Sequence, residues 1–169
     1  MKEITRFSIV LFLICSVSAG LLAFIFDVAE PRIIQQRQEE EQRAIEEVLP
    51  LVPAQIEKVE EEGLTFYKAK DAEGSLIAYV FIASVYGYSS DISTVVSLDP
   101  QGRIIQVGIL EQRETPGIGS RIEEEEFLQQ FKKKNVNQQF DTVTGATISS
   151  GAVIESIRQR ALEVLEHEQ

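Results

Sequence analysis

The chain has 169 residues, with 16 Lys and Arg against 27 Asp and Glu, and a formal net charge of −11. So acidic a chain lacks the basic surface with which proteins neutralise nucleic-acid phosphates, and no nucleic-acid partner is expected. A single Cys15 and a single His167 exclude an intrachain disulfide, an all-cysteine metal site and a histidine-rich metal cluster, while 44% hydrophobic content is enough for a folded core.

The first element is "FSIVLFLICSVSAGLLAFIF", residues 7–26, which carries no charge. A helical run of about 20 apolar residues crosses a hydrocarbon core of about 30 Å. Lys2 and Arg6 precede it, and Asp27 and Glu30 follow it. The positive-inside rule then places the N-terminus in the cytoplasm and the rest of the chain in the periplasm or outside a single-membrane cell. A cleaved signal peptide, with "SVSAG" (residues 16–20) as its small-residue site, is the competing reading. The apolar run continues past Gly20, which favours a single-pass anchor in the cell (inner) membrane.

Residues 30–49, "EPRIIQQRQEEEQRAIEEVL", are rich in good helix formers, and Pro31 suits a first helical turn. Apolar positions are dense only near the end, so the expectation is a juxtamembrane helix that docks by its C-terminal turns and is broken by "LPLVP" (residues 49–53). From Leu64 the period changes. "LTFYKAKD" (64–71), "SLIAYVFIASVYGY" (75–88), "ISTVVSLD" (92–99) and "RIIQVGILEQ" (103–112) are β-branched and aromatic-rich and predict strands. "DAEGS" and "DPQGR" between them are turn chemistry, so a meander of three or four antiparallel strands is expected. "IEEEEFLQQFKKK" (122–134) predicts a short helix with early acids and late lysines that suit the helix dipole. Val153, Ile154, Ile157, Ala161, Leu162 and Leu165 recur at helical spacing and predict a closing helix from about Ser149 to His167. The fold class is α+β: an N-terminal transmembrane helix, then a small antiparallel sheet packed with helices. The expected division is 1–29 anchor with a short cytoplasmic N-terminus, 30–62 juxtamembrane helix and linker, and 63–169 domain.

Two loops are candidates for chemistry. "ETPGIG" (114–119) has two glycines and a proline beside a strand end. It is either a wide turn or a place where backbone approaches a ligand. "DTVTGATISSGAV" (141–153) puts Thr147, Ser149 and Ser150 at a helix start, where unpaired N–H groups favour anions such as phosphate. Capping by Ser149 or Ser150 is the plainer role. A Ser-His-Asp set is not available with the one histidine at position 167, and no catalytic or metal-ligating residue is assigned.

"DTVTGAT" fits the pattern Asp-x-x-Ser/Thr-Gly-Ala-Thr and resembles the flavinylation motif of the RnfG/NqrC-type FMN-binding domain family. "ETPGIG" resembles that family's Glu-Thr-Pro-Gly-Leu-Gly loop, with Ile118 in place of Leu. The strand-turn-strand stretch 86–110 and "EEVLP" (46–50) are similar to their family counterparts, so the resemblance covers about residues 1–165. Segment 120–140 departs from it by being short and without Trp or Tyr. The resemblance implies FMN joined covalently to Thr147 by a phosphoester that a flavin transferase installs. It assigns Asp141, Thr144, Gly145 and Ala146 to the attachment motif, with Gly145 and Ala146 leaving room for the phosphate and Asp141 read by the transferase. It places Glu114, Thr115, Gly117, Ile118 and Gly119 against the flavin, with Glu114 either a ring contact or a solvated acid. Tyr86 and Tyr88 are pocket wall or plain sheet aromatics. The implied role is an electron-carrier subunit, not catalytic alone, whose partners are the membrane, other subunits of a membrane redox complex and the transferase. A stand-alone exported covalent flavoprotein and a cofactor-free anchored assembly subunit are the alternatives.

Overall fold

The computed structural model describes residues 2–50, 53–61 and 63–168. It divides into two compact units, residues 1–40 and 41–169. The described residues of the first unit are helical throughout. Helix α1, Lys2–Val48, begins there and supplies its last two turns to the second unit. Its apolar part is long enough to cross a membrane. Pro31, expected at a helix start, lies inside α1. Strong helix formers on both sides carry the helix through it, against a cost of about 3 kcal/mol for an interior proline.

The second unit is built on a five-stranded antiparallel meander in the order β1-β2-β3-β4-β5. The strands are β1 Gln55–Glu61, β2 Leu64–Lys70, β3 Leu76–Tyr86, β4 Asp91–Leu98 and β5 Ile104–Gln112. The predicted strands are all present. β1 is an addition, in the stretch expected to be linker. It pairs with β2 from Gln55↔Lys70 to Glu61↔Leu64. Its sequence, QIEKVEE, is that of an edge strand: charged, exposed, and formed by backbone pairing rather than burial. The two turns form as expected. Asp71 and Asp99 each accept two backbone N–H groups from the residues that follow them. The break expected at 49–53 includes Leu51 and Val52, which lie outside the described residues.

Period-2 alternation gives the sheet two apolar faces. One carries Phe66, Phe81, Ile92, Val96, Leu98 and Ile104 against the closing helix α3, Thr147–His167. The other carries Val80 and Val95, which the last turns of α1 cover with Ile45 and Val48. The Ser97 hydroxyl, from the middle of the sheet, donates to the Val48 carbonyl over 2.6 Å and so caps the end of α1.

The helix expected over 122–134 is much shorter. A 3₁₀ turn, Gly119–Glu123, is followed by α2, Glu125–Gln129. The edge of β5 claims the rest. Lys133 N–H donates to the Ile104 carbonyl, Ile104 N–H donates to the Lys134 carbonyl, and Arg103 bridges Asn135. Backbone committed to that edge cannot continue a helix, and Lys133 takes φ 64 to make the corner. Phe127, Phe131 and Phe140 still reach the core.

Candidate functional site

Three pieces of chain meet at one end of the sheet. They are the β3–β4 turn (87–90), the loop after β5 (114–119), and the approach to α3 with its first turn (141–150). Glu114 joins them. It is 4% exposed, and it is the one charged side chain in the buried class among the described residues. Its Oε1 accepts from Ser89 N–H (3.0 Å), Ser90 N–H (2.9 Å) and Ser90 Oγ (3.2 Å), and its Oε2 accepts from Ser149 Oγ at 2.8 Å. Burial alone would push its pKa up. The donations from Ser89, Ser149 and Ser90 outweigh burial and hold the carboxyl below its usual range.

Two glycines make room for that carboxylate. A Cβ on Gly87 would stand 2.7 Å from Oε1, and one on Gly119 would stand 2.6 Å from Oε2 and 2.7 Å from the Glu114 Cβ. Side-chain carbons do not approach so closely, so the "YGYSS" turn and the "ETPGIG" loop need glycine at these positions. The rest of the loop is open. Thr115, Gly117 and Ile118 are exposed, Ile118 at 53%, and the Thr115 carbonyl accepts the N–H groups of Ile118 and Ser120.

The "DTVTGAT" segment is held from both ends. The Gln130 side chain brackets the Asp141 backbone, accepting its N–H at 2.7 Å and donating to its carbonyl at 3.0 Å. The Asp141 side chain is left exposed, with no hydrogen-bond partner among the described residues. Arg121, just past the loop, donates to the Thr144 carbonyl at 2.8 Å and pairs with Glu124 at 2.9 Å. Ala146 N–H closes a tight turn on the Val143 carbonyl, with Gly145 at φ 87 in its third position. That corner favours glycine. An open cleft of about 400 Å³ runs beside the segment, lined by Arg121, Phe127, Gln130, Asp141, Val143 and Thr144.

Gly145 and Ala146, expected to serve alike as room for a phosphate, behave differently. Nothing stands within 4 Å of a Cβ built on Gly145, whereas Ala146 is 4% exposed and turned into the protein. Ala146 is also the residue before α3, with no side-chain cap. The expected caps are therefore not caps. α3 starts at Thr147, two residues before Ser149, and both serines lie inside its first turn. Ser149 reaches Glu114, and Ser150 accepts Val143 N–H while donating back to the Ala146 carbonyl. Thr147, the first helical residue, is exposed. The opening N–H groups of Thr147, Ile148 and Ser149 have no acceptor among the described residues.

The structure thus brings the two motifs together, with Thr147, Thr144, Asp141, Thr115 and Ile118 presented outward and Glu114 turned inward. Sequence reasoning missed Ser149 as a carboxylate partner, Arg121 and Gln130 as ties, and Gly87 as a close-approach glycine. Only Gly87 had a local signal, two aromatics around a glycine before two serines.

The FMN-binding domain family matches residues 87–163, and the RnfG N-terminal region matches residues 1–48. The G subunit of the ion-translocating oxidoreductase complex of Methanosarcina acetivorans is 29% identical over 92% of this chain and 92% of its own. The protein of the same name from Stutzerimonas stutzeri is 30% identical over 89% of this chain and 76% of its own. Among solved structures, the C subunit of the Na(+)-translocating NADH-quinone reductase from Parabacteroides distasonis superposes with a TM-score of 0.60 at 18% identity. It covers 79% of this chain and 95% of that one, a likeness of fold. The sheet, the two loops at its end and the N-terminal helix are together those of a known group, and the chain belongs to the RnfG/NqrC-type FMN-binding domain family.

Proposed function

We propose that this chain is an RnfG-like electron-transfer subunit of an ion-translocating oxidoreductase complex, and that it carries FMN as a phosphoester on Thr147. The observation that carries this is the setting of Thr147. Its hydroxyl is exposed on the first residue of a 21-residue helix, beside three N–H groups with no acceptor among the described residues, on a corner opened by Gly145. Such N–H groups, with the positive end of the helix dipole, suit a phosphate.

The residues present fit FMN. Thr147 Oγ1 is the attachment point, and Gly145 leaves open space beside it. Exposed Ile118 and Ile148, at 53% and 60%, offer apolar surface to a ring system, and Tyr86 and Tyr88 are exposed as well, at 63% and 67%. When bound, FMN supplies one-electron chemistry. The protein supplies attachment, placement and a local field. Forming the ester needs an activated phosphoryl donor, because an FMN monophosphate has no leaving group. A flavin dinucleotide meets that need. Thr147 Oγ1 would supply the oxygen of the new P–O bond, with a nucleoside monophosphate as the leaving group and the hydroxyl proton passing to solvent. The exposed Asp141 carboxylate is available to the transferase that brings this donor.

In this reading the apolar part of α1 anchors the chain in the membrane with the N-terminus cytoplasmic, and the flavin-bearing unit, residues 41–169 with β1 in its sheet, lies on the outer side. Intact-mass measurement of the full chain, co-expressed with the transferase, tests the attachment. The expected result is a mass increase of one FMN on the wild type and none on Thr147→Ala. An adduct that persists in Thr147→Ala overturns it.

A further inference from the structure

We propose that Glu114 is a positioning residue: its buried carboxylate pins the 87–90 turn to Ser149 and so fixes the helix turn on which Thr147 is presented. The link to Thr147 rests on the attachment reading above; the pin itself does not.

Burying an isolated charge is costly, and the usual remedy is a cation beside it. Glu114 has none among the described residues. Its contacts are the neutral donors of Ser89, Ser90 and Ser149, and it fills the space left by Gly87 and Gly119. An arrangement so closely fitted holds its parts in place, because every partner is aimed at the same two oxygens. The three segments it joins come from distant parts of the chain, and among the described residues no backbone ladder ties the first turn of α3 to the 87–90 turn. Ser149 is the connection, two residues along the helix from Thr147.

The opposite side of the motif is tied separately. Arg121 holds the Thr144 carbonyl, and Ser150 holds Val143 N–H. Thr147 therefore sits between two restraints that leave its own side chain free. The first turn of a helix frays readily unless held, since it lacks half of its backbone bonds. Releasing the Glu114–Ser149 contact frees that turn while the rest of α3 stays packed on the sheet.

The test uses the full chain with the flavin transferase and a flavin dinucleotide, and follows both adduct formation by mass and amide exchange by residue. Wild type is compared with Glu114→Ala, Glu114→Gln and Ser149→Ala. Glutamine can turn its amide oxygen to the Ser89 and Ser90 N–H groups and its NH₂ to Ser149 Oγ, so it keeps the pin without the charge. Modification is expected to slow in Glu114→Ala by about a hundredfold, the scale set by a misplacement of about 1 Å. Ser149→Ala should slow it by about tenfold, and Glu114→Gln should restore most of the rate, because one contact and no contact respectively are lost. Amide protection should fall at residues 89, 90 and 150–152, whose N–H groups are hydrogen-bonded in the wild type, and stay unchanged in β2, β3 and β4. Should Glu114→Ala fail to fold, Ser149→Ala keeps the carboxylate and its other donors and decides the matter alone. Wild-type rates in Ser149→Ala, with unchanged protection at 150–152, overturn the proposal. No adduct on wild type overturns the attachment reading instead, and the exchange data then decide the pin by themselves.

Discussion

The two ends of α3 solve opposite problems with charge. At its N-terminal end a single carboxylate, Glu114, is buried among neutral donors and makes no ion pair among the described residues. At its C-terminal end Glu168 lies among other ionisable groups. It pairs with Lys68 at 2.7 Å, accepts from Tyr79 at 3.3 Å, and neighbours His167, which in turn contacts Glu61 on β1 at 2.9 Å. The Lys68, Glu168, His167 and Glu61 side chains are between 17% and 64% exposed, around a buried Tyr79. The first end is a fitted joint whose parts have one arrangement. The second is an exchangeable network that ties the β1–β2 hairpin to the helix, and water and salt compete with it.

The contrast is broken most severely by Glu114→Ala. The Ser89 and Ser90 N–H groups lose their acceptor, and a loss of about 2–4 kcal/mol is expected by denaturant unfolding, following the penalty of about 1–3 kcal/mol per unsatisfied group. Gly119→Ala comes next. Its Cβ would meet Glu114 within 2.7 Å, and overpacking of this kind costs about 1–3 kcal/mol. The same substitution at Gly117, where the space is open, isolates the cost of a positive φ alone.

pH separates the two ends by sign. Hydrogen bonding to Glu61 and then to Glu168 raises the His167 pKa from 6.5. A raised folded value means that the protonated histidine stabilises the fold below pH 6.5, an effect lost as pH rises through the folded value. Melting temperatures of wild type and His167→Gln should differ most in mild acid and converge in alkali. Glu114 runs the other way. Its depressed pKa stabilises the fold above the ordinary carboxylate range, and this is lost as pH falls through the folded value. Glu114→Gln should flatten that acid limb and leave the histidine limb intact. The smallest effect belongs to Lys68→Met. A partly exposed pair of this kind is worth about 0–1 kcal/mol, and the difference from wild type should shrink further in high salt.

What the amino-acid order showed, and what it hid, follows the same division. β2 to β5 and α3 were legible because their apolar residues keep a period that only one face of a core can use. β1 was not, because an exposed edge strand has no burial pattern: Gln55–Glu61 reads as a charged linker until β2 supplies its hydrogen bonds. The shortening of α2 was hidden for a related reason, since the strand edge that captures Lys133 and Lys134 lies about 30 residues earlier in the chain. At the site, the two loops were legible as motifs, and Gly145 as a corner. The inward turn of Glu114 was not, because its partners are two backbone N–H groups and two serine hydroxyls, one of them 35 positions away. Hydroxyl-rich stretches invite a capping assignment. Here the helix begins two residues too early for Ser149 to cap it, and that offset frees the serine to hold the carboxylate.

The sheet's two edges have a last consequence, for how other molecules meet this domain. β5 is occupied along part of its length by residues 133–135, and β1 shows solvent a row of charged side chains. Neither invites a visiting strand, so recognition by strand addition is disfavoured on both sides. A neighbouring protein is left with the loop end, where hydroxyls, the exposed Asp141 carboxylate and a few exposed apolar side chains stand together. Such a surface suits brief encounters rather than permanent union, as passing electrons onward requires.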